Sequence, residues 1–179
     1  MGHQPVFMES LVVTVIGKDR PGLVESVSAV VEEHGGSWVE SRMSRLAGQF
    51  AGILRASVPA ENADALFEAL EGLRSGGLRV VIERGFDEAP NEGHLILLDL
   101  VGGDRPGIVH KISEALAARG VNVDELQTEC DGAPWSGDTL FRAKARLRVP
   151  QTLRLDDLRK SLEAIAGDLM VDITVAEPE

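Results

Sequence analysis

Apolar residues recur along this chain with two periods that take turns. Leu11–Ile16, "LVVTVI", is a continuous β-branched run and predicts a strand. Leu23, Val27, Val30 and Val31 then fall at helical spacing, and Gly35-Gly36 stops that helix. Trp38–Leu46 and Gln49–Val58 read as two strands joined at Ala47-Gly48, a hairpin. Asn62 stands where it can cap a second helix, whose apolar face is Ala63, Leu66, Leu70 and Leu73. Gly76-Gly77 ends that helix, and Leu78–Glu83 is a last strand. The same order then returns. Leu95–Val101 reads as strand, Pro106–Arg119 as helix, Val121–Glu129 and Thr139–Val149 as strands, Leu153–Ala166 as helix and Leu169–Val175 as strand.

The pattern is β-α-β-β-α-β, twice. It predicts an α+β protein made of two tandem ferredoxin-like units, each an antiparallel four-stranded sheet with both helices on one face. The residues themselves repeat. "LVVTVIGKDRPGLV" aligns with "ILLDLVGGDRPGIV" at an offset of 85, since Asp19 meets Asp104. The second copy gains six residues within "DGAPWSGD", after which "FAGILRASVP" meets "FRAKARLRVP". Two copies of this length fit two small domains, residues 9–86 and 94–177, joined by the acidic, proline-containing "FDEAPNEG".

The copies differ on one sheet face. Arg142, Lys144, Arg146 and Arg148 alternate with Ala143, Ala145, Leu147 and Val149 in the second copy. The matching places in the first hold Ala51, Ile53, Arg55 and Ser57, a milder face better suited to packing. Asp99 and Glu125 or Glu129 are the expected cross-strand partners of the basic ladder. The other reading of the ladder is a docking surface for an acidic partner.

Charge narrows the function. The chain of 179 residues carries a formal net charge of −11. Neither half has the basic stripe that phosphate-gripping proteins need, so direct nucleic-acid binding is not expected. The single cysteine, Cys130, forms no internal disulfide and has no metal-ligand cluster beside it in sequence. No run approaches a membrane span and no leader peptide is apparent, so a cytoplasmic location is expected.

The chemistry lies in the repeated octamers, "GKDRPGLV" from Gly17 and "GGDRPGIV" from Gly102. Gly17 and Gly102 let the chain leave the strand tightly, and Pro21 and Pro106 suit the first turn of a helix. Gly22 and Gly107 leave room for a close approach by ligand or backbone. The first amides of the following helix favour an anion such as a carboxylate. Asp19 and Asp104 serve either as helix caps or as partners of an ammonium group. Arg20 and Arg105 have the forked geometry that clamps a carboxylate. The structural alternative is a strand-to-helix turn that needs these residues for local reasons alone. Lys18 against Gly103, and Glu25 against His110, leave the two loops free to bind different things.

A βαββαβ unit with "G-x-D-R-P-G-[LI]-V" after its first strand resembles an ACT domain, a small-molecule sensor module. The stretches "RMSRLAGQFAG" and "SGDTLF" resemble those of the glycine cleavage system transcriptional repressor family, which is little more than two ACT domains in tandem. The resemblance implies an amino-acid ligand, glycine being the family expectation, held near the loop and the start of the second strand. The implied binding residues are Asp19, Arg20, Pro21, Gly22, Leu23 and Ser37 in the first copy. In the second they are Asp104, Arg105, Pro106, Gly107, Ile108 and Asn122. Asn122, with both donor and acceptor, suits an α-amino acid better than Ser37. A homodimer and a transcription-factor or enzyme partner are implied, with no cofactor.

Other residues have bland roles. His34 and Arg119 sit at helix ends, where the dipole favours a cation. His110 reads as an exposed helix residue, Cys130 as a strand residue, and Trp135 as packed on its own domain. No nucleotide-binding glycine motif follows a strand, and no nucleophile–base set is assignable, so an enzyme is not expected. The alternatives to a ligand-responsive regulator are a ligand-free interaction module and a regulatory subunit of an amino-acid or one-carbon enzyme.

Overall fold

The computed structural model describes residues 6–85, 92–132 and 137–178. It divides into two compact units, Met1–Ala89 and Pro90–Glu179. In the first unit β1 (Met8–Lys18) leads to α1 (Leu23–Glu33), β2 (Ser37–Leu46), β3 (Gln49–Pro59), α2 (Ala63–Gly72) and β4 (Arg79–Gly85). In the second, β5 (His94–Gly103) leads to α3 (Ile108–Ala117), β6 (Asn122–Gly132), β7 (Thr139–Val149), α4 (Leu155–Leu169) and β8 (Val171–Ala176). The sheet orders are β2-β3-β1-β4 and β6-β7-β5-β8, with every neighbouring pair antiparallel.

Each unit has its own apolar core on one sheet face. In the first, Leu11, Val13 and Val15 of β1 meet Leu23, Val27 and Val31 of α1 and Ala63, Leu66 and Leu70 of α2. In the second, Ile96, Leu98 and Leu100 meet Ile108, Ile112 and Leu116 of α3 and Leu158 and Leu162 of α4. Strand alternation and helical spacing bring these positions to the same side, so both helices cover one face. Truncating one of the fully buried leucines, such as Leu66 or Leu158, to alanine is expected to cost about 2–5 kcal/mol.

The turn from β2 to β3 is Ala47-Gly48, both at positive φ, which matches the twist of a two-residue hairpin. Both second strands carry a bulge at the same place, between Trp38 and Glu40 and between Val123 and Glu125.

Three local expectations change. Pro21 and Pro106 precede the helix rather than opening its first turn. The N-cap residues are Gly22 and Gly107, at φ 87° and 91°, a left-handed conformation that β-carbon sterics disfavour. Nothing lies within 4 Å of where a β-carbon would stand at either glycine, so no close approach by the unit's own backbone requires them, and their conformation does. Gly17 and Gly102 are the crowded positions. A β-carbon at Gly17 would come within 2.9 Å of Leu78 Cδ2, just before β4, and one at Gly102 would run into Val171 at the start of β8, so the entry to the last strand packs directly over both. Asn62 closes a 3-10 turn, Ala60–Asn62, in helical backbone, and its side chain makes no cap hydrogen bond to α2. It donates instead to the His34 carbonyl, 3.0 Å away, and ties the end of α1 to the start of α2. His34 Nδ1 and Arg119 Nη1 sit on carbonyls of the preceding helical turn, as their places at helix ends suggested.

Trp135 lies outside the described residues, as do the first residues of the 86–93 linker. No helix among the described residues is long and apolar enough to cross a membrane.

Candidate functional site

Each octamer wraps from the end of the first strand to the start of the first helix. In the first unit, the Asp19 amide donates to the Gly48 carbonyl at 2.9 Å and fixes the loop to the hairpin turn. The Asp19 carboxylate pairs with Arg45 Nε at 2.7 Å. Arg20 Nη2 donates to the Gly76 carbonyl at 2.8 Å, in the turn that leads into β4. Asp19 and Arg20 are therefore engaged within their own unit.

The second loop has the same backbone and fewer partners. The Asp104 amide donates to the Thr139 carbonyl at 2.9 Å. Arg45 is replaced at the matching position by Cys130, and among the described residues the Asp104 carboxylate has no hydrogen bond or ion pair. Arg105 Nη2 lies 3.8 Å from Met170 Sδ, a weak acceptor, where the first unit supplies a carbonyl. The Asp104 charge still registers nearby. Partial desolvation, then Asp104 and Asp131, hold the exposed Cys130 thiol above its ordinary pKa. That keeps it protonated and a poor nucleophile at neutral pH.

Neither α1 nor α3 has a side-chain cap, so Asp19 and Asp104 do not act as caps. The first helical bonds run from Ser26 to the Gly22 carbonyl and from Lys111 to the Gly107 carbonyl. The amides between have no intrahelical acceptor, which is the general condition of a helix start. Leu23 and Ile108 are buried core residues, so they offer this loop only their backbone.

The structure separates Ser37 and Asn122 from the loops of their own units. Ser37 is level with Ser57, which is level with Ser10, while Lys18 lies eight positions further along β1. Asn122 is level with Arg148 and Leu95, and Gly103 lies eight positions further along β5. At about 3.4 Å per strand residue the gap is roughly 27 Å. The second strand runs parallel to the first and starts at its opposite end. Asn122 is also occupied: its Nδ2 donates to Asp124 Oδ1 at 2.8 Å.

Sequence reasoning missed Arg45, Gly76 and Met170 as neighbours of the loops. Arg45 had a signal, because a hairpin at Ala47-Gly48 returns the end of β2 to the end of β1. It also missed an apolar cleft between α3 and β6. Ile108, Val109, Ile112, Val123, Leu126 and Ala145 are among its walls, and its volume is only ≈ 30 Å³, a shallow crevice rather than a ligand cavity. The first unit has Trp38, Met43 and Leu54 where the second has Val123, Thr128 and Ala145. Trp38 and Met43 pack on the first core.

The basic ladder of the second sheet is answered across the strands. Lys144 is level with Asp99, Arg142 with Glu129, and Arg146 approaches Glu125 at 3.8 Å. The tightest partner is Asp124, the bulged residue, which takes Arg148 Nε at 3.1 Å and Nη2 at 2.7 Å. Desolvation opposes its charge, but hydrogen bonds from Asn122 and Arg148, with the charges of Arg148 and Arg146, prevail. The Asp124 pKa lies below the ordinary carboxylate value.

Sequence profiles of the ACT domain match residues 9–81 and 96–166. A solved structure of an unknown protein from Galdieria sulphuraria is 31% identical, with a TM-score of 0.83 over 97% of this chain and 100% of that one. A second, provisionally named a glycine cleavage system transcriptional repressor, is 20% identical, with a TM-score of 0.69 over 96% of this chain and 98% of its own. At that identity the likeness is one of fold. No curated protein matches the chain.

Proposed function

From the premise that the chain belongs to the ACT domain family, with two such domains in tandem, we propose that it is an amino-acid-responsive regulator without enzymatic activity of its own. ACT domains generally take small amino-acid ligands, and the family supports that coarse role. The observation that carries the finer reading is the second loop. There an uncapped helix start, a carboxylate and a guanidinium stand together, and neither side chain has a strong partner within its unit. In this reading Arg105 and the first amides of α3 take the ligand carboxylate, and Asp104 takes its ammonium group. Pro106 and Gly107 shape the turn, and Ile108 contributes its amide. Asp19, Arg20, Pro21, Gly22 and Leu23 form the counterpart in the first unit, where Arg45 and the Gly76 carbonyl already engage the two charges a ligand would need.

Ser37 and Asn122 join such a site only if a ligand sits between two modules, one supplying a loop and the other a strand start. A homodimer fits that need. Glycine is the ligand implied by the resemblance to the glycine cleavage system repressors, and the provisional name of the 20% identical structure agrees with it. The regulator then acts on a transcription factor or enzyme rather than on DNA, consistent with the charge of −11, and works in the cytoplasm. We take the domain limits as residues 9–86 and 94–177.

The test is a thermal-shift panel of the twenty amino acids. A ligand held only by the folded state raises the melting temperature in proportion to RT ln(1 + [L]/Kd). Glycine is expected to raise it. No shift with any of the twenty at millimolar concentration rejects the sensor in favour of a ligand-free interaction module or an enzyme's regulatory subunit.

A further inference from the structure

The two sheets turn different outer faces to solvent, although their folds match. Across the first sheet the strand registers set three rows. They are Glu40–Arg55–Val12–Glu83, Arg42–Ile53–Thr14–Val81, and Ser44–Ala51–Ile16–Arg79. The middle of this face is apolar. Ile53 is 47% and Val81 59% exposed, Ala51 and Thr14 are exposed, and Val12 and Ile16 are half-buried. The corresponding rows of the second sheet are Glu125–Arg146–Leu97–Ala176, Gln127–Lys144–Asp99–Thr174 and Glu129–Arg142–Val101–Asp172. There a basic strand is flanked by acidic neighbours, and the face is suited to water.

We infer that the outer face of the first sheet docks on the same face of a second copy of this chain. The two-fold axis runs across the strands along the row of Ile53, Thr14 and Val81. The charges choose this occupant. Arg55 already pairs with Glu40 at 3.3 Å. Arg79 and Glu83 flank Val81 on β4 and, among the described residues, neither has an ion pair. A two-fold along the middle row exchanges the outer rows. Each Glu83 then stands opposite the partner's Arg79, and each Arg79 opposite the partner's Glu83. Val12 meets the partner's Ile16, while Ile53 and Val81 meet their own counterparts. Such self-complementarity is what an isologous interface requires. Sheets packed in this way interdigitate side chains about 10 Å apart, which suits residues no larger than isoleucine and threonine. Arg42 meets its own counterpart, but at the open edge strand, where solvent and salt screen it.

This inference rests on the homodimer reading and names its surface, so the experiment separates the two. Sedimentation velocity of the full chain at micromolar concentration is expected to show a dimer. Ile53→Glu is expected to raise the dimer dissociation constant at least about 100-fold, because it buries two uncompensated charges at the centre of the interface. Glu83→Arg is expected to weaken the dimer about 10-fold, and adding Arg79→Glu to restore it. All three side chains are solvent-exposed, so circular-dichroism melting should find the variants folded. A wild-type dimer that both single variants leave intact places the interface elsewhere and overturns this inference while the homodimer stands. Loss with Ile53→Glu but no response to the charge exchange rejects the two-fold arrangement. A wild-type monomer rejects both readings.

Discussion

The first loop is closed by its own unit, and the second is not. Both contain Asp-Arg-Pro-Gly, both end on a glycine of positive φ, and both lead into an uncapped helix. What differs is the surroundings. Arg45 answers Asp19, and the Gly76 carbonyl answers Arg20. In the second unit Cys130 and Met170 occupy the corresponding neighbourhoods and answer neither charge well. The packing follows the same division, with Trp38 and Met43 set on the first core and only a shallow apolar crevice beside Val123 in the second. The difference teaches that a repeated motif is not a repeated site. The motif secures the turn in both places, and the residues opposite it decide whether its charges remain available to a ligand.

The largest effect expected from breaking the shared part falls on the two glycines. Gly22→Val and Gly107→Val each force a branched residue to a left-handed φ and should cost about 1–3 kcal/mol. At its φ of 91°, Gly107→Val acts on the backbone of the turn and so probes stability rather than ligand binding. Thermal melting checks this, and unchanged melting temperatures in both would remove the conformational argument. The differing part should give a smaller, one-sided effect. Arg20→Ala loses its hydrogen bond to Gly76 and should destabilise the protein by about 1 kcal/mol. Arg105→Ala, which gives up only a thioether contact, should change stability by less than about 0.5 kcal/mol. Urea unfolding that ranks them the other way contradicts the described asymmetry.

The smallest effect concerns pH. Asp124 has a lowered pKa in the folded state, and the first unit has Val39 at the matching bulge. A lowered carboxylate pKa contributes stability above the unfolded-state value of about 3.9, and the contribution disappears as pH falls through the folded value. Asp124→Asn should therefore cost up to about 1 kcal/mol at pH 7 and nothing once the wild-type carboxylate is protonated. A constant difference from pH 7 to pH 2 would show that the side chain acts through packing rather than charge.

The fold was legible because the repeat checked itself. Two independent runs of the same strand and helix periods, 85 residues apart, left little choice of element order, and every predicted strand and helix is present. Its finer points depended on contacts that periodicity does not report. Pro21 looks like a first-turn residue, but Gly22 supplies the N-cap. Asn62 looks like a cap, but the His34 carbonyl just after α1 takes its side chain. The loops themselves were conspicuous, whereas their closing partners come from hairpin and last-strand turns far away in sequence. Ser37 and Asn122 were joined to the loops by resemblance to the family. Strand direction within one unit sends them to the opposite end of the sheet.

The central claim is that the second loop, and not the first, holds the ligand. Isothermal titration calorimetry of the full chain decides it, using glycine and valine as probes on wild type, Arg20→Ala and Arg105→Ala. One ligand per chain is predicted for the wild type, with affinity retained within about threefold in Arg20→Ala. Arg105→Ala should weaken it by about 10- to 100-fold, as expected for losing a charge-assisted contact worth about 1.5–3 kcal/mol. Equal affinity in wild type and Arg105→Ala, or loss confined to Arg20→Ala, would contradict the account.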